Sequence, residues 1–166
     1  RQRSDKGEQS RIFLVDEQVV VRQGLAHLLG REPDLLVCGE ADSVAAAIKA
    51  LPAARPDLLI LDIALQGGGG VELIREVRQQ SPKTPVLVLS SYDEGVYAER
   101  SLRAGAIGYV MKRDPAERVL AAIRRCLRGE IHVSPRMANE ILHRLTGDKS
   151  GAHWGDVSDL SDRELE

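Results

Sequence analysis

Cysteine, long apolar runs and surplus basic charge are all scarce in this chain, and each shortage removes a class of protein. The two cysteines, Cys38 and Cys126, stand far apart in apolar or helical stretches, outside any CxxC or other metal-ligand spacing. A disulfide framework and a cysteine-based metal site are therefore not expected, and both residues read as buried free thiols of a reducing compartment. No run is long enough to span a membrane, and the opening RQRSDKGEQS lacks the apolar centre of a secretion signal, so a cytoplasmic protein without a membrane partner is expected. With 23 Lys and Arg against 25 Asp and Glu, the formal charge of −2 leaves no basic footprint for nucleic acid. Internal repeats and low-complexity tracts are missing too; the GGGG of 67–70 reads as part of one loop.

What is present suits one α/β core with appended polypeptide: 166 residues, 43% hydrophobic and 29% charged. Four short apolar runs, RIFLVD (11–16), DLLILD (57–62), PVLVLS (85–90) and GYVMK (108–112), read as buried strands, and LLVCGEA (35–41) as a weaker fifth. Helical spacing fills the intervals. The first helix carries Val19, Val20, Leu25, Leu28 and Leu29 and stops at Gly30; the second starts from Ser43 and buries Val44, Ile48 and Leu51. The third uses Val71, Leu73, Ile74 and Val77, and the fourth spans about 95–104 before Gly105. The fifth reads as capped by Asp114, with Pro115 first, Glu117 completing a capping box and Gly129 as stop. Strand and helix alternate five times over 11–129, which with right-handed crossovers predicts an α/β fold built on a doubly wound, five-stranded parallel sheet.

Beyond Gly129 the alternation ends. Residues 134–146 predict one more helix, with Ser134 as N-cap, Pro135 first, and Met137, Ile141, Leu142 and Leu145 at helical spacing. GDKSGAHWGDVSD (147–159) has linker composition, with Trp154 either an anchor on a neighbouring surface or incidental. In LSDRELE (160–166), Ser161 and Glu164 make a capping box, and Leu160 and Leu165 a hydrophobic staple. A lone helical turn is unstable, so more of this helix is expected downstream.

Ligands and reacting groups in doubly wound sheets gather at the carboxyl ends of the strands. The first strand ends in Asp16-Glu17, the third in Asp62, the fourth in Ser90-Ser91 and the fifth in Lys112. Alone, a strand-terminal aspartate is usually a turn residue, a serine a turn hydroxyl and a lysine a solvated charge. Together on one rim they have a chemistry. Crowded carboxylates resist ionisation unless a cation joins them, and Mg²⁺ suits an oxygen-rich site with room for phosphate oxygens. With that cation and Lys112 in place, Asp62 is a nucleophile for phosphorus, giving an acyl phosphate held by metal, lysine and hydroxyl.

Residues 11–129 resemble, throughout, the receiver domain of two-component response regulators. RIFLVDE, LLILDI, VLVLSS and RAGAIGYVMK are similar to the motifs of the NarL/LuxR-type subfamily. The resemblance implies a flavodoxin-like sheet of order 2-1-3-4-5, with a phosphoryl group delivered to Asp62 by a sensor histidine kinase. Asp16 and Glu17 would be the acidic metal pair, Ser90 the hydroxyl, Lys112 the partner of the phosphoryl group, and the main-chain carbonyl of Ala64 a further Mg²⁺ ligand. Tyr109 would be the aromatic switch, turning inward when Ser90 moves toward the phosphoryl group. Activation would favour a homodimer, for which Arg118, Arg124, Arg125 and Arg128 are either a solvated face or partners of acidic groups across the interface. The division implied is a disordered tail over 1–10, receiver 11–129, linker 130–159, and over 160–166 the truncated start of a LuxR-type helix-turn-helix, so that DNA is reached only through a missing domain.

The chain departs from the pattern at Glu17, where aspartate is commoner; at IALQGGGG after Asp62, where a Met-Pro pair is usual; and at Arg113. These motivate a rival, a pseudo-receiver working as a phosphorylation-independent dimerisation or interaction module. An Asp-nucleophile phosphatase needs a second carboxylate where Ala64 stands, and a flavodoxin-like electron carrier needs a phosphate loop that DEQVVVRQG does not supply.

Overall fold

The structure, a computed structural model, describes residues 7–147. The strands are β1 (Ser10–Val15), β2 (Leu35–Ala41), β3 (Leu58–Leu61), β4 (Val86–Ser90) and β5 (Gly108–Met111). Between and after them run α1 (Val19–Gly30), α2 (Val44–Ala54), α3 (Gly69–Gln80), α4 (Glu94–Ala104), α5 (Ala116–Leu127) and α6 (Pro135–Leu145). All strand pairs are parallel, in the order β2-β1-β3-β4-β5. The doubly wound sheet expected from the alternation is therefore present, with β1 and β3 side by side at its centre.

The near-continuous apolar strands bury both faces. Phe13, Val15, Leu59, Leu61, Val86, Val88, Tyr109 and Met111 point into one apolar layer, which α2, α3, α4 and α6 help to fill. Ile12, Leu14, Leu58, Ile60, Leu87, Leu89 and Val110 point into the other, with Leu29 of α1 and Val119, Ala122, Ile123 and Cys126 of α5. This period-two sorting is the pleat of the sheet expressed in side chains.

Several local readings are corrected. Val19 and Val20 are exposed, Val20 at 81%, because α1 begins beyond the end of β1, where the sheet no longer covers its first turn. Cys38 is only half-buried: the β1–β2 register slips at this point, pairing Ile12 with Val37 and Phe13 with Gly39 and leaving Cys38 bulged. A side chain at Gly39 would sit 2.5 Å from the Phe13 ring. The buried Cys126 thiol is pushed up to about 12 by desolvation, so it stays protonated and inert. Asp114 does not cap α5. Its carboxylate turns back to accept the Met111 N–H at 3.2 Å and pairs with Arg118, leaving Pro115 as the cap residue. β1 takes in Ser10, and the Gln9 side chain donates to the carbonyls of Pro33 and Leu35.

The arginines of α5 find partners within the chain. Arg124 bonds Glu32 and Asp34 of the α1–β2 connection, Arg125 and Arg128 bond Glu130, and Arg118 bonds Asp114. Trp154 and the stretches 148–159 and 160–166 lie outside the described residues.

The four glycines are not one loop. Gly67 takes a left-handed φ of 79° in a short 3-10 turn, whereas Gly69 and Gly70 are buried in the first turn of α3. A Cβ on Gly70 would stand 2.3 Å from the Ile63 carbonyl oxygen, so the helix packs there through bare backbone. Gly70→Ala is expected to cost about 1–3 kcal/mol through this overpacking, read from urea unfolding midpoints. An unchanged midpoint would show that the β3–α3 contact yields without cost.

Candidate functional site

Each central strand ends in the same local device. A side-chain oxygen at the strand end accepts the backbone N–H two residues on: Gln18 N to Asp16 Oδ1 at 2.8 Å, Ala64 N to Asp62 Oδ1 at 3.0 Å, and Tyr92 N to Ser90 Oγ at 3.1 Å. Aspartate and serine are suited to this turn because a short side chain carries an acceptor back over its own backbone. The turns lift the chain off the sheet and leave the other polar atoms free.

Those atoms converge. The Lys112 ammonium lies 2.7 Å from Asp16 Oδ2 and 2.7 Å from Asp62 Oδ2. All three side chains are sheltered, Lys112 at 12% exposure and the aspartates at 4% and 3%. Burial works against the ammonium, but the hydrogen bonds to Asp16 and Asp62 outweigh it, so its pKa is raised. One lysine set against two carboxylates leaves an unbalanced negative charge at the rim. Arg22 adds a hydrogen bond to the Asp16 carbonyl at 2.5 Å, not to its carboxylate.

Of the residues expected at the site, Asp16, Asp62 and Lys112 are thus in direct contact, and Ser90, fully buried, ends the strand between β3 and β5. Glu17 and Ala64 line an open cleft of about 580 Å³ that also reaches Asp62, Gln66, Gly67 and Tyr92. Glu17 does not join the aspartates: among the described residues no three His, Cys, Asp or Glu side chains form a metal-holding group.

Tyr109 differs from expectation. Its ring is already inside, 2% exposed, with the hydroxyl donating to the Tyr92 carbonyl at 2.8 Å. Burial raises its pKa, partly offset by a hydrogen-bonding contribution from Ser90, while Asp62, Asp93 and Glu94 push further upward. In this structure the ring occupies the inward position, with an acceptor and a packed cavity around it. Tyr92 was missed by sequence reasoning. It acts through its backbone, N–H to Ser90 and carbonyl to Tyr109, which no side-chain identity reveals, and its ring stacks on Tyr97 at 4.7 Å.

An open parallel α/β domain with a lysine bridging two buried aspartates, and a buried serine ending the strand between β3 and β5, is built as a receiver of phosphoryl groups is. The chain belongs to the response regulator receiver domain family, whose pattern matches residues 12–124. It is 38% identical over 154 residues to the DNA-binding transcriptional activator DevR/DosR of Mycobacterium tuberculosis, covering 93% of this chain and 70% of that protein. A LuxR-family two-component response regulator from Aurantimonas sp. superposes with a TM-score of 0.76 at 32% identity, covering 84% of this chain and 99% of that one. The signal receiver domain of the response regulator NarL from Mycobacterium tuberculosis gives 0.70 at 30% identity, over 74% and 99%. The chain is a receiver domain of the NarL/LuxR type, a signalling domain among transcriptional regulators. No helix of the described residues is long and apolar enough to cross a membrane.

Replacing Lys112 by methionine leaves two buried carboxylates without their cation. A loss of about 3–5 kcal/mol at pH 7 is expected from urea unfolding, since removing one partner of a buried pair strands the other. The folded-state pKa of Lys112 lies above its ordinary 10.5, so its contribution is fully present below that pH and is lost as pH rises through the raised folded value. Wild type should therefore lose stability in that alkaline window, and Lys112→Met should lack this component. Equal alkaline slopes in the two proteins would contradict the ion-pair reading.

Proposed function

We infer that Asp62 accepts a phosphoryl group from a sensor histidine kinase and that the phosphorylated domain controls an attached DNA-binding domain. The observation that carries this reading is the Lys112 ammonium held 2.7 Å from both buried aspartates at the strand-end rim. Supporting it further, the relative from Mycobacterium tuberculosis is described as a DNA-binding transcriptional activator.

In the transfer, a carboxylate oxygen of Asp62 bonds to phosphorus while the bond from phosphorus to the donor imidazole nitrogen breaks, and that nitrogen leaves with the electron pair. Lys112, already at Asp62 Oδ2, neutralises charge on the phosphoryl oxygens as they arrive. The Ser90 hydroxyl, which accepts the Tyr92 N–H, donates its own O–H to a phosphoryl oxygen. Leu65, Gln66 and Gly67 border the cleft through which the donor approaches.

Mg²⁺ is the cation this site suits. Asp16, Asp62 and the Ala64 carbonyl would supply it with oxygen alone, and the carboxylate charge that Lys112 leaves uncompensated calls for a further positive charge. When bound, the ion shields the negative charge shared by carboxylate and phosphoryl group. Glu17, outside the aspartate pair, would contribute from the cleft wall. Homodimerisation on activation and work in the cytoplasm belong to the same proposal, as do a receiver over 11–129, a linker over 130–159 and the beginning of a helix-turn-helix at 160–166.

Incubation with Mg²⁺ and acetyl phosphate is expected to add one phosphoryl group by intact mass, and Asp62→Asn to add none. Glu17→Asp is expected to speed labelling. Because Glu17 stands apart from the aspartates, the specific rival is a phosphorylation-independent interaction module. Absence of any adduct, under conditions that label another receiver, would establish that rival.

A further inference from the structure

A cleft of about 230 Å³ lies between α2 and α3, where the chain enters β3 and β4 and therefore at the end of the parallel sheet away from Asp62. Ile48, Leu51 and Pro52 of α2, Pro56 of the α2–β3 connection and Val77 of α3 give it an apolar lining. Its charged members are Arg55 on one wall and Glu76 on the other.

Arg55 ends α2 with φ 45° and ψ 59°, and it is the one non-glycine residue of positive φ among the described residues. Helices that stop in this left-handed conformation favour glycine, which has no Cβ to strain. An arginine stands there instead, and its side chain takes no part in closing the helix. The Leu51 carbonyl is met by the Arg55 backbone N–H, and the Ala54 carbonyl accepts from the Arg11 guanidinium at 2.8 and 3.2 Å. Asp57, two residues on, is engaged by the Arg11 backbone N–H at 2.8 Å. The Arg55 guanidinium is left without a hydrogen bond or ion pair among the described residues. On the facing wall the Glu76 carboxylate accepts from the Gln80 side chain.

We propose that this cleft binds a small amphipathic monocarboxylate, its carboxylate paired with Arg55 and its hydrocarbon body against Leu51, Pro52 and Val77. A guanidinium presents two parallel donors that match a planar carboxylate, and Arg55 has both to give. One cation facing one acid suits a single negative charge; a dianion such as phosphate would keep its second charge uncompensated and meet repulsion from Glu76. The volume sets the size. Sites for drug-sized molecules run to roughly 300–1,000 Å³, so this smaller cleft takes a short acid. Asp62 has no part in it, which makes it an input separate from phosphoryl transfer. α3 spans both places: its C-terminal half walls the cleft, and Gly70 in its first turn packs on Ile63 beside Asp62.

Methyl NMR of the whole chain titrated with sodium hexanoate tests the site, with hexanol and hexylammonium as neutral and cationic probes of the same length. Hexanoate should shift the Ile48, Leu51 and Val77 methyls saturably and leave those of Val110 in β5 in place. Hexanol and hexylammonium should bind several-fold more weakly. Arg55→Gly removes the cation while suiting the left-handed backbone, so it should weaken hexanoate binding several-fold with a urea midpoint no lower than wild type. Absence of a saturable shift with hexanoate, or hexanol binding as tightly as hexanoate, overturns the proposal. Undiminished hexanoate binding by Arg55→Gly overturns it as well, because the carboxylate then makes no use of the guanidinium.

Discussion

Two buried carboxylates facing one ammonium are the constraint around which this domain is arranged. Asp16 ends β1, Asp62 ends β3, and Lys112 follows β5, so the lysine reaches past the end of β4 to touch both. Neither aspartate could be desolvated to this degree without a cation, and the ammonium bears its own burial only because two partners meet it. A parallel sheet opens the three carboxyl-terminal ends on the same rim, and the order observed sets Asp16 and Asp62 on neighbouring strands. Because one positive charge meets two negative ones, the site is balanced only in part, and that deficit is what makes it receptive to a further cation.

The scaffold keeps this rim rigid by ordinary means. Apolar side chains alternate into two layers, and small backbone adjustments make them fit: the bulge at Cys38 lets Phe13 lie over Gly39, and bare backbone at Gly70 lets α3 close on Ile63. Short side-chain turns at Asp16, Asp62 and Ser90 end the strands while keeping one acceptor atom of each aspartate free for Lys112. Stability and chemistry use different atoms of the same residues.

On the opposite side of Ser90, polar contacts pass through backbone. Tyr92 joins the serine to the buried Tyr109, and the β5 edge carries the chain into α6. The α5 arginines, for which the sequence leaves a solvated face and an interface both open, tie α5 to the α1–β2 connection and to its own C-terminal end. The surface of α4 and β5 is shared between the domain and α6, and the polar balance there differs from the apolar packing of the sheet.

Element order, the parallel sheet and the residues on its rim are legible along the chain, because apolar strands, helix caps at Ser43 and Ser134, and polar strand ends are local signals that follow from backbone geometry. The family resemblance was legible for the same reason. Which candidates touch depends on how the elements pack: Lys112 bridges Asp16 and Asp62, Glu17 does not join them, and the Tyr109 ring lies inside. Helical spacing places Val19 and Val20 in α1, but burial depends on what packs against each side chain, and both are exposed. Asp114 had the spacing of a cap, yet its carboxylate is drawn to the Met111 N–H. Contacts between residues distant in the chain are set by how elements pack, and a pattern read along the chain carries no record of that distance.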